Sequence, residues 1–334
     1  MKAVQVNENQ EFEVVSKDIP EPETGEVRIR VEACGVCHSD AMVKEGAFPG
    51  IQYPRIPGHE VIGIIEKIGA GVSPWTEGQR VGVGWHGGHC FTCEPCRRGD
   101  FINCKNAHIT GISYDGGYAE YMVAPQSALA AVPEDLASID AAPLLCAGVT
   151  TFNALRNSGV KPGEVVAVLG VGGLGHLAIQ YANKMGCKTV ALSRGTEKKA
   201  LAQELGAHVY IDTESKKGSE ELQKLGGAKV IMATAPNGKA MSELIDGLTP
   251  NGKLFTIAAG MEPVEVTPMQ LIAGNKAVNG WASGTAMDSE DTLNFSSLTG
   301  ITPKVEAFPL DKAEEAYQHM MSNKARFRAI LKMV

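Results

Sequence analysis

Short apolar runs separated by amphipathic stretches dominate the second half of the chain. Between residues 163 and 281 the runs are VVAVLG, TVALS, HVYID, KVIMAT, KLFTIAA and AVNGWA. The stretches between them, such as LGHLAIQYANKMG and EKKALAQELG, place apolar residues at helical spacing. Apolar strands that alternate with helices are typical of a parallel sheet covered on both faces. The pattern therefore predicts a doubly wound α/β domain.

Residues 1 to about 143 show a different pattern, in which short alternating strands are divided by Gly and Pro. In GEVRIRVEA, Val27, Ile29 and Val31 fall on one face at a period of two. This pattern predicts a β-rich lobe. The tail at 289–334 adds two helical stretches and a final strand, RAILKMV, which do not continue the β-α alternation.

Composition fits a globular chain of two domains. The chain has 334 residues, of which 44% are apolar and 21% charged, and its net charge is −7. Neither a signal peptide nor an apolar run of membrane-spanning length, about 20 residues, is recognisable, so we expect a cytoplasmic protein without a membrane partner. Basic residues are scattered among acidic ones, which argues against a nucleic-acid partner.

Four of the eight cysteines lie in one loop, GGHCFTCEPCRRGDFINC. Thiolates spaced C-x2-C-x2-C-x7-C suit tetrahedral zinc with bonds of about 2.3 Å. An iron–sulfur cluster and four separately buried thiols are the alternatives, although the bacterial cluster spacing has its last cysteine only about three residues on. A closed set of four thiolates leaves no position for a substrate, so we predict a structural zinc on Cys90, Cys93, Cys96 and Cys104.

The first β-α unit of the second half carries VLGVGGLG, a glycine-rich turn between a strand and a helix. Glycines at the G-x-G-x-x-G positions allow a tight turn and a close approach of a pyrophosphate to the helix N-terminus. A glycine-rich turn without a ligand is the alternative. We predict a nicotinamide dinucleotide site that includes Gly170, Gly172, Gly173, Leu174 and Gly175.

The end of the second strand indicates which nicotinamide cofactor binds. Enzymes that use NAD usually carry an acid there, which hydrogen-bonds the ribose 2′-hydroxyl. Here the strand ends in Ser193 and Arg194, followed by Lys198. A hydroxyl and a guanidinium can hold a 2′-phosphate through charge-assisted hydrogen bonds. We predict NADP(H), with NAD(H) as the alternative. If no cofactor binds here, these side chains simply face the solvent.

Three further stretches contain metal-ligating residues: CGVCHSD, PGHEVIG and PLLCAGVTT. Taken singly, Cys37, His59 and Cys146 could each be core residues. Taken together they form the Cys2His set that leaves the fourth position of a catalytic zinc open.

With these motifs in this order, the chain resembles the zinc-dependent medium-chain alcohol dehydrogenases over nearly its whole length. The residues that carry the resemblance are GVCHSD, PGHE, the four-cysteine loop, CAGVTT, GVGGLG and RFRAILK. The resemblance implies an α/β architecture in which a GroES-like catalytic domain, 1–149 and 288–334, holds both zinc sites. A Rossmann domain at 150–287 is inserted between its two parts.

The resemblance also assigns roles to individual residues. It implies catalytic-zinc ligands at Cys37, His59 and Cys146, with Glu60 able to approach the metal and Asp40 orienting His59. It further implies a proton acceptor at Ser39 and cofactor contacts from His38, Thr150 and Arg328. It implies substrate contacts from Phe48 and Trp85, each of which could instead be an ordinary core residue. One position departs from the family pattern, because Met42 stands where a relay histidine often continues the proton path.

The activity that the resemblance implies is hydride transfer between NADP(H) and a primary alcohol or aldehyde, with two zinc ions per chain. It also implies a homo-oligomer, for which we favour a tetramer over a dimer. The alternatives are an NAD-dependent enzyme of the same family and a non-catalytic dinucleotide-binding zinc protein. A zinc-free quinone reductase would lack both cysteine sets.

Overall fold

The computed structural model describes residues 1–322 and 325–333, which divide into two compact units. Unit 1 comprises Met1–Val149 and Gly284–Val334, and unit 2 comprises Thr150–Ser283. The second boundary therefore lies at 284 and not at the predicted 288. The reason is local, because Thr285 caps the helix that starts at Ala286: its hydroxyl accepts a hydrogen bond from the Asp288 amide at 3.3 Å.

The strands in chain order are β1 (Lys2–Val6), β2 (Phe12–Ser16), β3 (Glu26–Val36), β4 (Val61–Ile68), β5 (Arg80–Val83), β6 (His86–Gly88), β7 (His108–Ile109), β8 (Tyr121–Pro125), β9 (Leu129–Ala131), β10 (Val165–Leu169), β11 (Lys188–Ser193), β12 (Val209–Asp212), β13 (Ala228–Ala233), β14 (Leu248–Thr256), β15 (Ala277–Gly280), β16 (Val305–Pro309) and β17 (Arg328–Lys332). The α-helices are α1 (Ala41–Lys44), α2 (Glu94–Arg97), α3 (Ser138–Ala141), α4 (Ala147–Arg156), α5 (Gly175–Lys184), α6 (Lys199–Glu204), α7 (Gly218–Lys224), α8 (Gly238–Leu244), α9 (Pro268–Ile272), α10 (Ala286–Thr299) and α11 (Ala313–Met321).

Unit 1 is built on one large sheet with the order β16-β17-β3-β4-β5-β9, and β8 also pairs with β3. The predicted alternation of β3 is confirmed, because Val27, Ile29 and Val31 are all buried in the core. The tail of the chain completes this sheet: β17 pairs antiparallel with β3 and parallel with β16. The sequence analysis missed β16, whose side chains are half-buried or exposed and show no clear alternation.

Unit 2 contains a six-stranded parallel sheet with the order β12-β11-β10-β13-β14-β15. Each of the six predicted apolar runs forms one strand, and every residue of the central strand β10 is buried. This order, with the first strand in the middle and the chain turning outward on both sides, is that of doubly wound dinucleotide-binding sheets. The predicted fold class of this unit is confirmed. No helix among the described residues is long and apolar enough to cross a membrane.

Candidate active site and cofactor site

Four metal-ligating side chains from separate parts of unit 1 meet at one point. Cys37 follows β3, His59 and Glu60 precede β4, and Cys146 precedes α4. One ligand atom from each lies within 4.8 Å of those of the other three. The structure thus brings together the three predicted zinc ligands and the acid predicted to approach the metal.

The geometry of this cluster fits a zinc ion. The Cys37 and Cys146 sulfurs are 3.7 Å apart. Two sulfurs bound to the same tetrahedral zinc ion, each at about 2.3 Å from it, lie about 3.8 Å apart. The Nε2 atom of His59 is buried and has no hydrogen-bond partner in the described part of the chain. Buried polar atoms are rarely left unpaired. An ion between the two sulfurs and this nitrogen accounts for all three.

Asp40 and Tyr118 support the opposite side of the His59 ring. Nδ1 of His59 lies 3.2 Å from Oδ1 of Asp40, while Oδ2 of Asp40 accepts hydrogen bonds from the Cys37 amide at 2.8 Å and the Tyr118 hydroxyl at 2.9 Å. All these groups are buried. The carboxylate is thereby placed to keep Nε2 as the metal-binding nitrogen. The sequence analysis missed Tyr118, for which no local pattern exists.

Glu60 is held by Arg328, a residue from the last strand of the chain. The Arg328 guanidinium donates to Oε1 of Glu60, and Oε2 is buried without a hydrogen-bond partner within residues 1–322 and 325–333. Burial raises the pKa of Glu60 to about 7, although Arg328 opposes the rise. The contact of Arg328 with the cofactor phosphates stays a prediction; its guanidinium lies against this carboxylate.

Without a metal ion, the surroundings of Cys37, Cys146 and His59 do not give all three side chains the protonation state in which they bind zinc. The contact with Cys146 lowers the pKa of Cys37 well below its usual range, and the same contact raises the pKa of Cys146. Burial lowers the pKa of His59, but Asp40 and Cys37 together outweigh burial, and the net pKa lies well above its ordinary value. Zinc needs both thiolates and a neutral imidazole, so its binding releases protons.

The four cysteines of the loop also converge on one point. Their sulfurs lie within 4.8 Å of one another, and that of Cys104 is 3.6 Å from Cys90 and 3.8 Å from Cys93. These separations match a single tetrahedral ion, whereas the cysteines of an iron–sulfur cluster bind different irons and stand further apart. The geometry therefore favours the predicted zinc over the iron–sulfur alternative.

Hydrogen bonds to the loop sulfurs favour their ionised form. The amide of Cys93 donates to the sulfur of Cys90 at 3.4 Å, and that of Asn106 donates to the sulfur of Cys104 at 3.3 Å. Hydrogen bonds from Asn106 and Thr92 lower the pKa of Cys90 to about 5. Since burial raises the pKa of Cys96 to about 12, four thiolates at neutral pH require a bound cation.

The predicted substrate and proton-transfer residues lie around the catalytic cluster. The Trp85 ring meets the His59 ring edge-on with centroids 5.0 Å apart, and Phe48 and Trp85 pack against the same buried residues, Val6, Val43 and Ile112. Ser39 is half-buried in the 3-10 turn that follows Cys37, and His38 beside it is exposed. Their roles toward substrate, proton and cofactor stay predictions.

The glycine turn before α5 has the shape that a pyrophosphate site requires. Gly170 adopts a φ of +98°, which side chains disfavour. A Cβ on Gly175 would lie 2.0 Å from the Gly170 carbonyl oxygen, whereas a Cβ on Gly172 would meet nothing within 4 Å. Gly175 thus closes the helix onto the turn, and Gly172 leaves open space beside it. Gly173 and Leu174 are half-buried in the same turn.

The residues that predict NADP(H) lie at the end of β11. Ser193 is half-buried, and Arg194 and Lys198 are exposed. The structure adds a carboxylate here, because an oxygen of Glu197 lies 2.8 Å from where a Cβ on Gly195 would stand. The sequence analysis found no carboxylate at this position. Thr150, the predicted nicotinamide neighbour, is buried in α4.

Comparison with known proteins gives consistent matches. Residues 23–134 match the family model described as "Alcohol dehydrogenase GroES-like domain", and residues 173–297 match "Zinc-binding dehydrogenase". "Alcohol dehydrogenase patD" of Penicillium expansum is 46% identical over 312 residues, which cover 93% of this chain and 91% of that protein. An alcohol dehydrogenase of Geobacillus stearothermophilus is 36% identical over 336 residues, which cover 100% and 99%.

A solved structure agrees with these matches. The crystal structure of CAD from Helicobacter pylori complexed with NADP(H) superposes with a TM-score of 0.86 at 28% identity, and the match covers 99% of this chain and 97% of that chain.

The two cysteine clusters predict two independent zinc ions, which metal analysis of purified variants can separate. Cys93→Ser should lose the ion of the loop, and Cys146→Ser should lose the ion at His59, so that each retains about one zinc per chain where the parent has about two. Cys187→Ser is the matched control, because Cys187 is buried and burial raises the pKa of its thiol. Unchanged zinc content in either cluster variant would contradict the assignment.

Proposed function

Because the chain belongs to the zinc-dependent medium-chain dehydrogenases and is an oxidoreductase of their alcohol dehydrogenase and aldehyde reductase type, we propose that it transfers hydride between NADP(H) and a primary alcohol or its aldehyde. The observation that carries this proposal is the convergence of Cys37, His59 and Cys146, with an unpartnered Nε2 on the histidine. A set of three ligands is what an ion needs if it is to keep a position open for substrate.

Different residues of the chain bind the metal, orient a ligand and transfer the proton at this site. Bound by Cys37, His59 and Cys146, zinc would supply Lewis acidity that polarises a carbonyl and favours loss of an alcohol proton. Asp40 orients His59, and Ser39, in the turn directly after Cys37, takes the proton of the alcohol. Since Met42 cannot accept a proton, the relay passes from Ser39 to the cofactor ribose and water, or to His38.

The use of NADP(H) is supported by the end of β11. Ser193 and Arg194 offer a hydroxyl and a guanidinium where an NAD enzyme usually has an acid. The Helicobacter pylori relative was crystallised with NADP(H). Glu197 favours the second candidate, an NAD-dependent enzyme, because a carboxylate near this turn would repel a 2′-phosphate. We favour NADP(H) because Arg194 directly follows the strand.

The substrate class follows from the side chains near His59. Trp85 stands edge-on to its ring, and Phe48 packs in the same apolar cluster. An apolar wall accepts an unbranched or aromatic aldehyde but leaves the extra hydroxyls of a polyol without partners.

The remaining alternative is a non-catalytic binding protein. Such a protein has no use for the two unpaired buried atoms at this site, Nε2 of His59 and Oε2 of Glu60.

The cofactor proposal predicts that the enzyme reduces straight-chain and aromatic aldehydes faster with NADPH than with NADH, followed by the absorbance of the reduced nicotinamide. Arg194→Ala should raise the KM for NADPH about 10- to 100-fold and leave that for NADH unchanged, since a hydrogen bond to a charged group contributes about 1.5–3 kcal/mol. Lys184→Ala, which removes an exposed lysine in the last turn of α5, serves as the surface-charge control. Preference of the wild-type enzyme for NADH would refute the assignment.

The proton-transfer proposal is tested at Ser39. Ser39→Ala should lower kcat about 100- to 10,000-fold, because positioned proton transfer contributes rate factors of this size, and Ser39→Thr should restore most of it. His38→Ala should change mainly the pH profile or the affinity for cofactor. Zinc content, measured in parallel, must stay at the parent value. A kcat for Ser39→Ala close to that of the wild type would remove Ser39 from the relay.

We also propose a homo-oligomer, with a tetramer favoured. Unit 2 exposes Met261, Met269 and Ile272 in the segment between β14 and β15, and β15 is an edge strand of the parallel sheet. Exposed apolar side chains beside an unpaired edge favour association.

Light scattering after size-exclusion chromatography should give the mass of four chains. Ile272→Glu should lower this mass, because it places a charge in the exposed apolar segment. A monomeric parent protein would contradict the proposal.

A further inference from the structure

We propose that Tyr210 and Asp212, two residues of β12, act as positioning residues that hold the turn carrying Arg194 and thereby set the affinity for a 2′-phosphate. The inference rests on the proposed use of NADP(H). It concerns residues that are not expected to touch the phosphate themselves and that no sequence motif marks.

The turn after β11 is held at both backbone polar groups of one residue, Gly195. The Gly195 amide donates a hydrogen bond to Oδ1 of Asp212 at 2.8 Å, and the Tyr210 hydroxyl donates to the Gly195 carbonyl oxygen at 2.8 Å. Both partners come from β12, the neighbouring parallel strand, in which Asp212 stands opposite Ser193. The backbone of Gly195, which has a φ of +68°, is therefore fixed by side chains of another strand.

Asp212 is itself held in place. Its Oδ1 also accepts from the Glu214 amide at 2.9 Å, and its Oδ2 accepts from the Ser215 hydroxyl at 2.9 Å. Hydrogen bonds from Glu214 and Ser215 lower the pKa of this carboxyl group. The carboxylate thus remains an ionised acceptor and holds Gly195 in one position.

The other end of the turn is held by the residue that follows β12. The Ser193 carbonyl accepts from the Thr213 amide at 3.0 Å. Arg194 therefore lies between two residues whose positions are fixed by β12 and the residue after it, although its own side chain is exposed.

The consequence for binding is preorganisation. An exposed arginine on a loose turn loses conformational freedom when it binds a phosphate, and this loss weakens the affinity. Holding the backbone on both sides of Arg194 lowers that cost before the cofactor arrives. Because only the 2′-phosphate gains from the arginine, the hydrogen bonds from β12 should affect NADP(H) and leave NAD(H) almost unaffected.

The test compares Tyr210→Phe with the wild-type enzyme. Loss of this single hydroxyl should raise the KM for NADPH about three- to tenfold, the range expected for one hydrogen bond, while the KM for NADH and both kcat values stay unchanged. Tyr121→Phe, in β8 of unit 1, is the matched control. If the role of Tyr210 were merely structural, Tyr210→Phe would lower the thermal stability and raise the KM for both cofactors equally.

Binding without catalysis provides a second measurement. Calorimetry with adenosine 2′,5′-bisphosphate should show weaker binding in Tyr210→Phe and Asp212→Ala, whereas Asp212→Asn, which keeps an acceptor oxygen for the Gly195 amide, should recover most of the affinity. Binding of adenosine 5′-monophosphate, which lacks the 2′-phosphate, should not change in any of them. Thermal unfolding of each variant verifies that it is folded.

The outcomes separate this inference from the proposed function. If Arg194→Ala weakens NADPH binding but Tyr210→Phe and Asp212→Ala do not, the cofactor assignment stands and the positioning role is wrong. If the wild-type enzyme prefers NADH and Arg194→Ala has no effect on NADPH, the cofactor assignment fails and the positioning role fails with it. Equal losses for both cofactors in Tyr210→Phe would also overturn the inference.

Discussion

The antiparallel register of β17, β3 and β4 is the constraint on which the active site depends. In this register Val36 pairs with Ala329 and Cys34 pairs with Val61, so the ligands that follow β3 and precede β4 lie at the same end of these strands. A shift of one residue would turn every side chain to the opposite face. The buried alternation of β3 therefore fixes the metal site as well as the core.

Gly35 shows how closely the register and the site are linked. Its amide donates to the Glu60 carbonyl at 3.0 Å, and a Cβ at this position would lie 1.8 Å from Oε2 of Glu60. Only a residue without a side chain lets the carboxylate turn inward between the strands. This glycine has no unusual φ; the space above it, and not its backbone, is what the site requires.

Some of these features can be predicted from the sequence, whereas others cannot. The six parallel strands are recognisable because both faces of such a sheet are buried, which leaves continuous apolar runs. The cysteine loop is recognisable because its ligands are close in sequence. The contacts of Tyr118 with Asp40 and of Arg328 with Glu60 join residues 78 and 268 positions apart, and no local pattern records them. The roles of Asp40 and Glu60 followed only from the family resemblance.

The two cysteine clusters differ in charge as well as in geometry, and this difference would suit a zinc ion in each cluster to a different role. Four thiolates overcompensate a divalent ion and close its coordination, so such a centre holds a loop but attracts no further donor. Two thiolates and a neutral imidazole only balance the ion, which keeps its affinity for an oxygen. Glu60 would add the excess charge if it joined them. Arg328 is buried against that carboxylate, and this ion pair would keep Glu60 from the metal and leave the fourth position open to a substrate.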